Sequence, residues 1–254
     1  MKQTTLRLAL SLAAVALLVA CGGGGDTTET KAAAPPAPAP EPVAAGGSGS
    51  ITGLVSYTGE DTDAEINMDA DPVCASAHSD GVSSQAILAA GGNLANVFVY
   101  VKEGVSGSHS APSDPVVLDQ VGCAYAPHVA GIQTGQELII RNSDPTLHNV
   151  HALPEINAEF NQGQPFQNME LKKTFDKSEV MVRFKCDVHP WMSAYMGVVD
   201  HPYFAVSGTD GSFSIDGLAA GDYVVETWHE TLGTRTQNVT VGDGAVAVSF
   251  DYDA

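Results

Sequence analysis

The sequence is short of basic residues, aromatic residues and long apolar runs. Lys and Arg number 11 against 30 Asp and Glu, which gives a formal net charge of -19. Because such a chain repels phosphate backbones, nucleic acid is not expected as a partner. Aromatic residues make up 7% of the chain, and no long stretch has helical periodicity. Since 44% of its 254 residues are hydrophobic, the chain can nevertheless bury a core.

The one extended apolar run lies near the N-terminus. Lys2 and Arg7 accompany an apolar stretch at positions 8–19, which is the layout of an export signal that is removed from the mature protein. The tetrapeptide LVAC at 18–21 resembles the lipobox of bacterial lipoproteins. This resemblance implies a signal peptide at 1–20 and acylation of Cys21. The alternative is a plain secretory signal with a chance cysteine.

Lipidation would attach the protein to the cell envelope through its N-terminal lipid. Gly22 follows the cysteine, and the absence of Asp at this position resembles lipoproteins sorted to the outer membrane, here facing the periplasm. Residues 22–50 are rich in Gly, Ala, Pro and Ser, and they contain no large apolar side chain beyond Val43. Such a segment cannot offset the entropy of ordering. We therefore predict a lipid anchor and disordered linker over 21–50.

The four cysteines divide into three roles if the chain is exported. Cys21 takes lipid, and Cys74 and Cys123 are available to form a disulfide, which persists outside the cytoplasm. The alternative for this pair is a second metal site, because His78 and His128 follow the two cysteines closely. Either way, Cys186 is left as a lone thiol, and a lone thiol in an exported protein requires an explanation.

From Ile51 onward, short apolar segments alternate with Gly and Asp turns, which predicts an all-β chain of β-sandwiches. The segment 208–213 (GTDGSF), followed by Gly221 and Tyr223, resembles the carboxypeptidase regulatory-like (transthyretin-like) domain. That resemblance implies one sandwich made from 51–104 and 201–254. The remaining residues, 105–200, would form a second domain inserted into it.

The segment 186–192 (CDVHPWM) places a thiolate, an imidazole and a thioether on one short loop. A trigonal set of two imidazoles and one thiolate with a weak axial thioether is the ligand set of a type 1 copper site. In the strand before the loop, alternation puts Val180, Val182 and Phe184 on the face of Cys186, which predicts that the sulfur enters the core. The alternative is that Cys186 is a small buried residue and that the histidines lie on the surface.

The second imidazole is expected from a distant strand, and residues 148–150 (HNV) supply one. Together with Pro127, Gly135, Asn142 and Asp144, this segment resembles the cupredoxins, amicyanin most of all. The resemblance covers roughly 115–200 and implies a Greek-key β-sandwich. It further implies one type 1 copper ion.

By that resemblance the equatorial ligands are His148, Cys186 and His189. Met192 is the expected axial ligand, with Met196 as the alternative. Asn149 is expected to tie the two ligand loops together through hydrogen bonds.

The predicted function is a non-enzymatic one-electron carrier. Pro190 and Trp191 would form an apolar electron port beside His189, and the partner would be a redox protein such as a cytochrome or a periplasmic oxidoreductase. An enzyme is not expected, because the sequence holds no histidine cluster for a second copper. Two other functions remain open: copper storage or delivery, and a surface interaction lipoprotein with a structural copper.

Overall fold

A computed structural model of the chain describes residues 46–60, 64–78 and 81–254. The predicted signal peptide, the lipidation of Cys21 and most of the linker lie outside these residues. The short helix in the described ranges has six residues, and no helix there is long and apolar enough to cross a membrane.

The described residues form one helix and twenty strands, so the predicted all-β class is confirmed. The first group comprises β1 (Gly49–Tyr57), β2 (Glu65–Ile66), α1 (Pro72–Ala77), β3 (Val82–Ser83), β4 (Ala89–Ala90), β5 (Asn93–Leu94) and β6 (Phe98–Glu103). The second comprises β7 (Val116–Val121), β8 (Ala124–Ala126), β9 (Val129–Gln133), β10 (Leu138–Asn142), β11 (His148–Leu153), β12 (Phe160–Gln164), β13 (Met169–Lys173), β14 (Glu179–Lys185) and β15 (Ser193–Val199). The third comprises β16 (Phe204–Val206), β17 (Ser212–Leu218), β18 (Gly221–His229), β19 (Gly233–Val241) and β20 (Ala245–Tyr252).

Strands β7 to β15 form what we call the central sandwich. One sheet has the order β13-β10-β7-β8, and the other has the order β12-β11-β14-β15-β9. The strands alternate as a half-buried sheet requires: Leu138, Ile140 and Asn142 point inward along β10, while the residues between them are half-buried. The two inner faces enclose a core that includes Phe184 and Cys186.

The remaining long strands form a flanking sandwich. Its sheets have the orders β17-β1-β5-β4, with β20 also paired to β1, and β16-β6-β18-β19. Their facing sides enclose a second core around Ile51, Leu94 and Phe250. The 208–213 segment is a tight turn, in which Gly208 donates its backbone N–H to Ser212. It joins strands of different sheets, because β16 pairs with β6 and β17 pairs with β1.

One detail of β14 differs from the simple alternation predicted for it. The pairing of β14 with β15 shifts register between Glu179 and Val182. Val182 and Phe184 therefore share the central core with Cys186, whereas Val180 packs in a separate cluster with Phe98. The prediction that Val180 faces the core with the thiol is thus wrong, because alternation is lost where the register shifts.

A short segment lies between β1 and β4 and belongs to neither core. We call residues 64–78 and 81–83 the cap; they comprise β2, α1 and β3. Met68 and Cys74 of the cap are buried against Cys123 and Trp191 of the central sandwich. The cap is therefore held against the end of the central sandwich from which residues 186–192 project.

Candidate metal centre

The loop between β14 and β15 is closed by its own backbone. Cys186 donates its N–H to the carbonyl of Met192 at 3.3 Å, and Met192 donates to the carbonyl of His189 at 3.0 Å. The N–H of His189 also points to the Cys186 sulfur, at 3.3 Å. The thiol and the imidazole are thus fixed relative to each other by a turn of seven residues.

Sheet register brings the second imidazole to this loop. Strand β11 pairs with β14 so that His151 lies opposite Lys185, next to the thiol. His148 begins β11, and the backbone N–H of Asn149 lies 3.5 Å from the Cys186 sulfur. The two candidate segments, far apart in sequence, therefore meet at one end of the sandwich.

Three predicted ligands form a buried cluster. Nδ1 of His148 lies 2.9 Å from Nδ1 of His189, and the Cys186 sulfur lies 3.9 Å from the latter atom. All three ligand atoms lie within 4.8 Å of one another. None of the three side chains is more than 2% exposed, so the cluster is withdrawn from water.

The electrostatics of the cluster favour a thiolate. Burial raises the pKa of the Cys186 thiol, but hydrogen bonds from His148 and from backbone N–H groups outweigh it, so the pKa is lowered. Burial lowers the pKa of His148, yet Asp144 and Cys186 raise that pKa to about 9. The hydrogen bonds around Cys186 and His148 therefore favour the charged form of each group.

A carboxylate holds Nε2 of His148, the outward nitrogen, which points away from the cluster. This Nε2 lies 2.8 Å from Oδ2 of Asp144. The backbone N–H groups of Gly122 and Cys123 also donate to Asp144, at 2.8 and 2.7 Å. Asn142 shapes this turn by accepting the N–H of Asp144. Asp144 belongs to the cupredoxin-like motif, but the sequence indicated no role for it; its spacing of four residues from His148 was the one available signal.

The outward nitrogen of His189 is held in the same way by the cap. Its Nε2 lies 3.1 Å from Oδ2 of Asp71 and 3.8 Å from the sulfur of Cys74. Asp71 was not among the residues predicted for the site. The only local signal is that Asp71 precedes Pro72, a pattern typical of a helix start, and it says nothing about a histidine.

Cys74 and Cys123 form a disulfide in the structure, with their Cα atoms 5.5 Å apart. The alternative, a second metal site at these cysteines, is therefore not present. His78 instead lies 2.6 Å from the carbonyl of Gly122, and His128 pairs with Glu230. The disulfide joins the cap to the turn that holds Asp144.

The two residues of the predicted electron port, Pro190 and Trp191, do not form an open apolar rim. Pro190 is exposed, but Trp191 is half-buried and donates its indole N–H to the carbonyl of Cys123 at 3.0 Å. The Trp191 ring lies 5.0 Å from the His189 ring, between centroids. The electron port stays a prediction. The edge of the His189 ring, beside which it was predicted, is covered by the cap.

Asn149 links the two ligand segments. The side-chain oxygen of Asn149 accepts the backbone N–H of Asp187, the residue after Cys186. The backbone N–H of Asn149 points to the Cys186 sulfur. The Asp187 carboxylate is itself held by His151 and Asn161. The start of the 186–192 loop is thus held to β11 through both Asn149 and His151.

Both candidate axial methionines are buried. Met192 and Met196 are each 1% exposed and pack in the core that contains Cys186. Met192 belongs to the closed loop, whereas Met196 lies within β15 and pairs with Val182. The choice of Met192 stays a prediction.

The residues present fit a copper ion. One nitrogen from each imidazole and the Cys186 sulfur lie within 4.8 Å of one another in a buried cluster, which is the mixture of nitrogen and sulfur donors that a copper ion takes. Soft thiolate with imidazole is the chemistry that suits copper in both of its oxidation states. Carboxylates on both outward nitrogens complete the arrangement commonly found around metal-bound histidines.

Comparison with known proteins gave matches among solved structures only. No protein-family model and no curated protein matches the chain. A point mutant of amicyanin with Cu(I) is 20% identical over 33% of this chain and 81% of its own, with a TM-score of 0.30. A purple cupredoxin from Nitrosopumilus maritimus is 17% identical over 33% of this chain and 97% of its own, with a TM-score of 0.28. A copper-containing nitrite reductase from Thermus scotoductus is 19% identical over 38% of this chain and 25% of its own, with a TM-score of 0.30.

Proposed function

We propose that the chain is a type 1 copper protein that carries single electrons in the bacterial cell envelope. One observation carries the proposal: Cys186, His148 and His189 bring a sulfur and two imidazole nitrogens within 4.8 Å of one another in a buried cluster. The resemblance of the two ligand segments to cupredoxins supports it.

The chemistry follows from how the ligands are held. A copper ion bound here would supply a one-electron couple between Cu(II) and Cu(I). The closed loop, the link through Asn149 and the two carboxylates would hold the donor atoms in the same positions for both oxidation states. Because the ligands are held in advance, neither oxidation state would require a large rearrangement.

The proposal includes a location and a partner. The N-terminal pattern supports lipid attachment at Cys21 with the folded body facing the periplasm. The excess of acidic residues supports a basic redox partner such as a cytochrome, steered by charge and weakened by salt. Association rates measured from low to high ionic strength should therefore fall.

The covered edge of His189 favours a second candidate, copper storage or delivery. A ring that is 2% exposed is not open to direct contact with a redox partner. A storage protein would keep its ion behind the cap and release it to an acceptor. Reversible one-electron voltammetry with retained copper would support the carrier, whereas ready transfer of Cu(I) to a metal-free acceptor protein would support delivery.

The test is a visible spectrum of the full chain after addition of Cu(II). The carrier proposal predicts an intense thiolate-to-copper absorption band and one bound copper per chain. Cys186→Ala should abolish the band, while the control Ser76→Ala, on an exposed residue of α1, should retain it. A parent chain that shows no such band would overturn the proposal.

A further inference from the structure

The carboxylate of Asp71 performs two separate tasks with its two oxygens. Oδ1 accepts the backbone N–H groups of Val73 and Cys74, at 2.7 and 3.3 Å, and so caps α1. Oδ2 lies 3.1 Å from Nε2 of His189 and accepts the hydroxyl of Thr146 at 3.3 Å. The oxygen that faces the histidine is therefore not the one that holds the helix.

The position of Asp71 is fixed by strong attachments. Cys74, three residues later, is fully buried and bonded to Cys123. The indole of Trp191 bonds to the carbonyl of Cys123, and the imidazole of His78 lies against the carbonyl of Gly122. Gly122 and Cys123 are also the residues whose N–H groups hold Asp144. One turn thus fixes both carboxylates that face the two histidines.

A carboxylate at Nε2 decides which nitrogen of an imidazole is free. The ring donates its Nε2 proton to the carboxylate and presents the Nδ1 lone pair on its opposite side, where it becomes a better metal ligand. Nδ1 of His189 is the atom that faces Nδ1 of His148 and the Cys186 sulfur. The orientation that copper needs is therefore the one that Asp71 favours.

We propose, building on the copper site of the proposed function, that Asp71 is a positioning residue: it holds His189 to the ion through Nδ1 and closes the outer edge of that ring. The residue reaches the site from the cap, which precedes the central sandwich in the chain. Closure of the edge slows removal of the metal, because a competing chelator must displace the cap to reach His189. Partners accordingly meet the cap surface and not the ring itself.

The test uses Asp71→Asn in the full chain. Asn caps helices about as well as Asp, so α1 should persist, while the negative charge facing His189 is lost. Outer partners of metal-bound histidines change affinity about 10- to 100-fold when removed. We expect a loss of copper affinity in that range, faster extraction of Cu(I) by bathocuproine disulfonate, and a higher reduction potential because a negative charge near the ion is gone.

The matched control is Asp69→Asn, which removes the same charge from an exposed position of the cap. Its copper affinity, extraction rate and potential should equal those of the parent. Thermal unfolding of the metal-free variants and the intact Cys74–Cys123 disulfide show whether the cap has kept its structure. A merely structural role for Asp71 would alter unfolding and leave the potential unchanged.

The outcomes separate the inference from the proposed function. If the parent binds copper through Cys186 and Asp71→Asn, with its cap intact, matches the parent in all three measurements, the inference is overturned alone. If the parent takes up no copper, the proposed function is overturned and the inference with it.

Discussion

The sulfur of Cys74 lies 3.8 Å from Nε2 of His189, so a disulfide is in contact with a candidate metal ligand. The two residues are 115 positions apart in the sequence. The contact places the covalent bond that anchors the cap directly beside the ring that the cap covers.

Removal of this disulfide should destabilise the protein and loosen the cap. The bond spans 49 residues, for which the chain-entropy relation gives about 4 kcal/mol of stability. We expect the double variant Cys74→Ser, Cys123→Ser to lose stability of this order in urea unfolding and to release Cu(I) to a chelator faster than the parent. Equal unfolding curves and equal release rates would show that the bond does not hold the cap.

Asn149→Ala should weaken the link between the two ligand segments. The substitution removes the side-chain acceptor of the backbone N–H of Asp187, and the loss of one such hydrogen bond costs about 0.5–1.5 kcal/mol. Unfolding of the metal-free chain should show this loss, and copper should bind more weakly because the loop is less fixed. The control is Asn238→Ala, at an exposed position of β19, which should change neither the stability of the metal-free chain nor its copper affinity. An effect of the same size in the control would show that the loss does not come from the link through Asn149.

Gly197→Ala should disturb the contact between the two sandwiches. Gly197 and Gly131 pair in neighbouring strands, and a Cβ on Gly197 would lie 2.4 Å from the buried Phe98 ring of the flanking sandwich. Overpacking of this kind costs about 1–3 kcal/mol. The control Gly163→Ala has no atom within 4 Å of its new Cβ. Chemical denaturation should distinguish the two, and equal stability of both variants would contradict the packing role of Gly197.

Glu179 should make stability depend on pH on the acid side. Burial raises the pKa of this carboxyl, but hydrogen bonds from the backbone and side chain of Asn157 and from two further backbone N–H groups outweigh it, so the pKa is lowered. The folded pKa lies below the unfolded one, hence the carboxylate stabilises the fold above the ordinary glutamate pKa of about 4.3, and this contribution disappears as the pH falls through the folded pKa.

The measurement compares the parent with Glu179→Gln from pH 7 down to pH 2. The parent should be the more stable at pH 7, and the gap should narrow below about pH 4 as the carboxylate of the parent takes up a proton. Glu103→Gln, an exposed carboxylate at the end of β6, should show a far smaller gap. A difference for Glu179→Gln that stays constant with pH would contradict this account.

Much of the candidate site could be predicted because its signals are local. The spacing of Cys186, His189 and Met192 falls within one turn, and a turn of that length restricts where the three side chains can point. Alternation along β14 correctly placed Cys186 with Val182 and Phe184. It failed at Val180, since a register shift between two strands leaves no mark in the sequence of either one.

The β character of the chain, the thiol, imidazole and thioether on the 186–192 loop and the histidine segment that meets them could be read from the sequence alone, because periodicity and short spacing depend on nearby residues only. The surroundings of Nε2 of His148 and of Nε2 of His189 depend instead on how distant segments pack. Asp144 acts through a turn fixed by Gly122 and Cys123, and Asp71 arrives from a segment 118 residues before His189. Such contacts arise from the packing of separate segments, and no local pattern encodes which carboxylate will meet which ring.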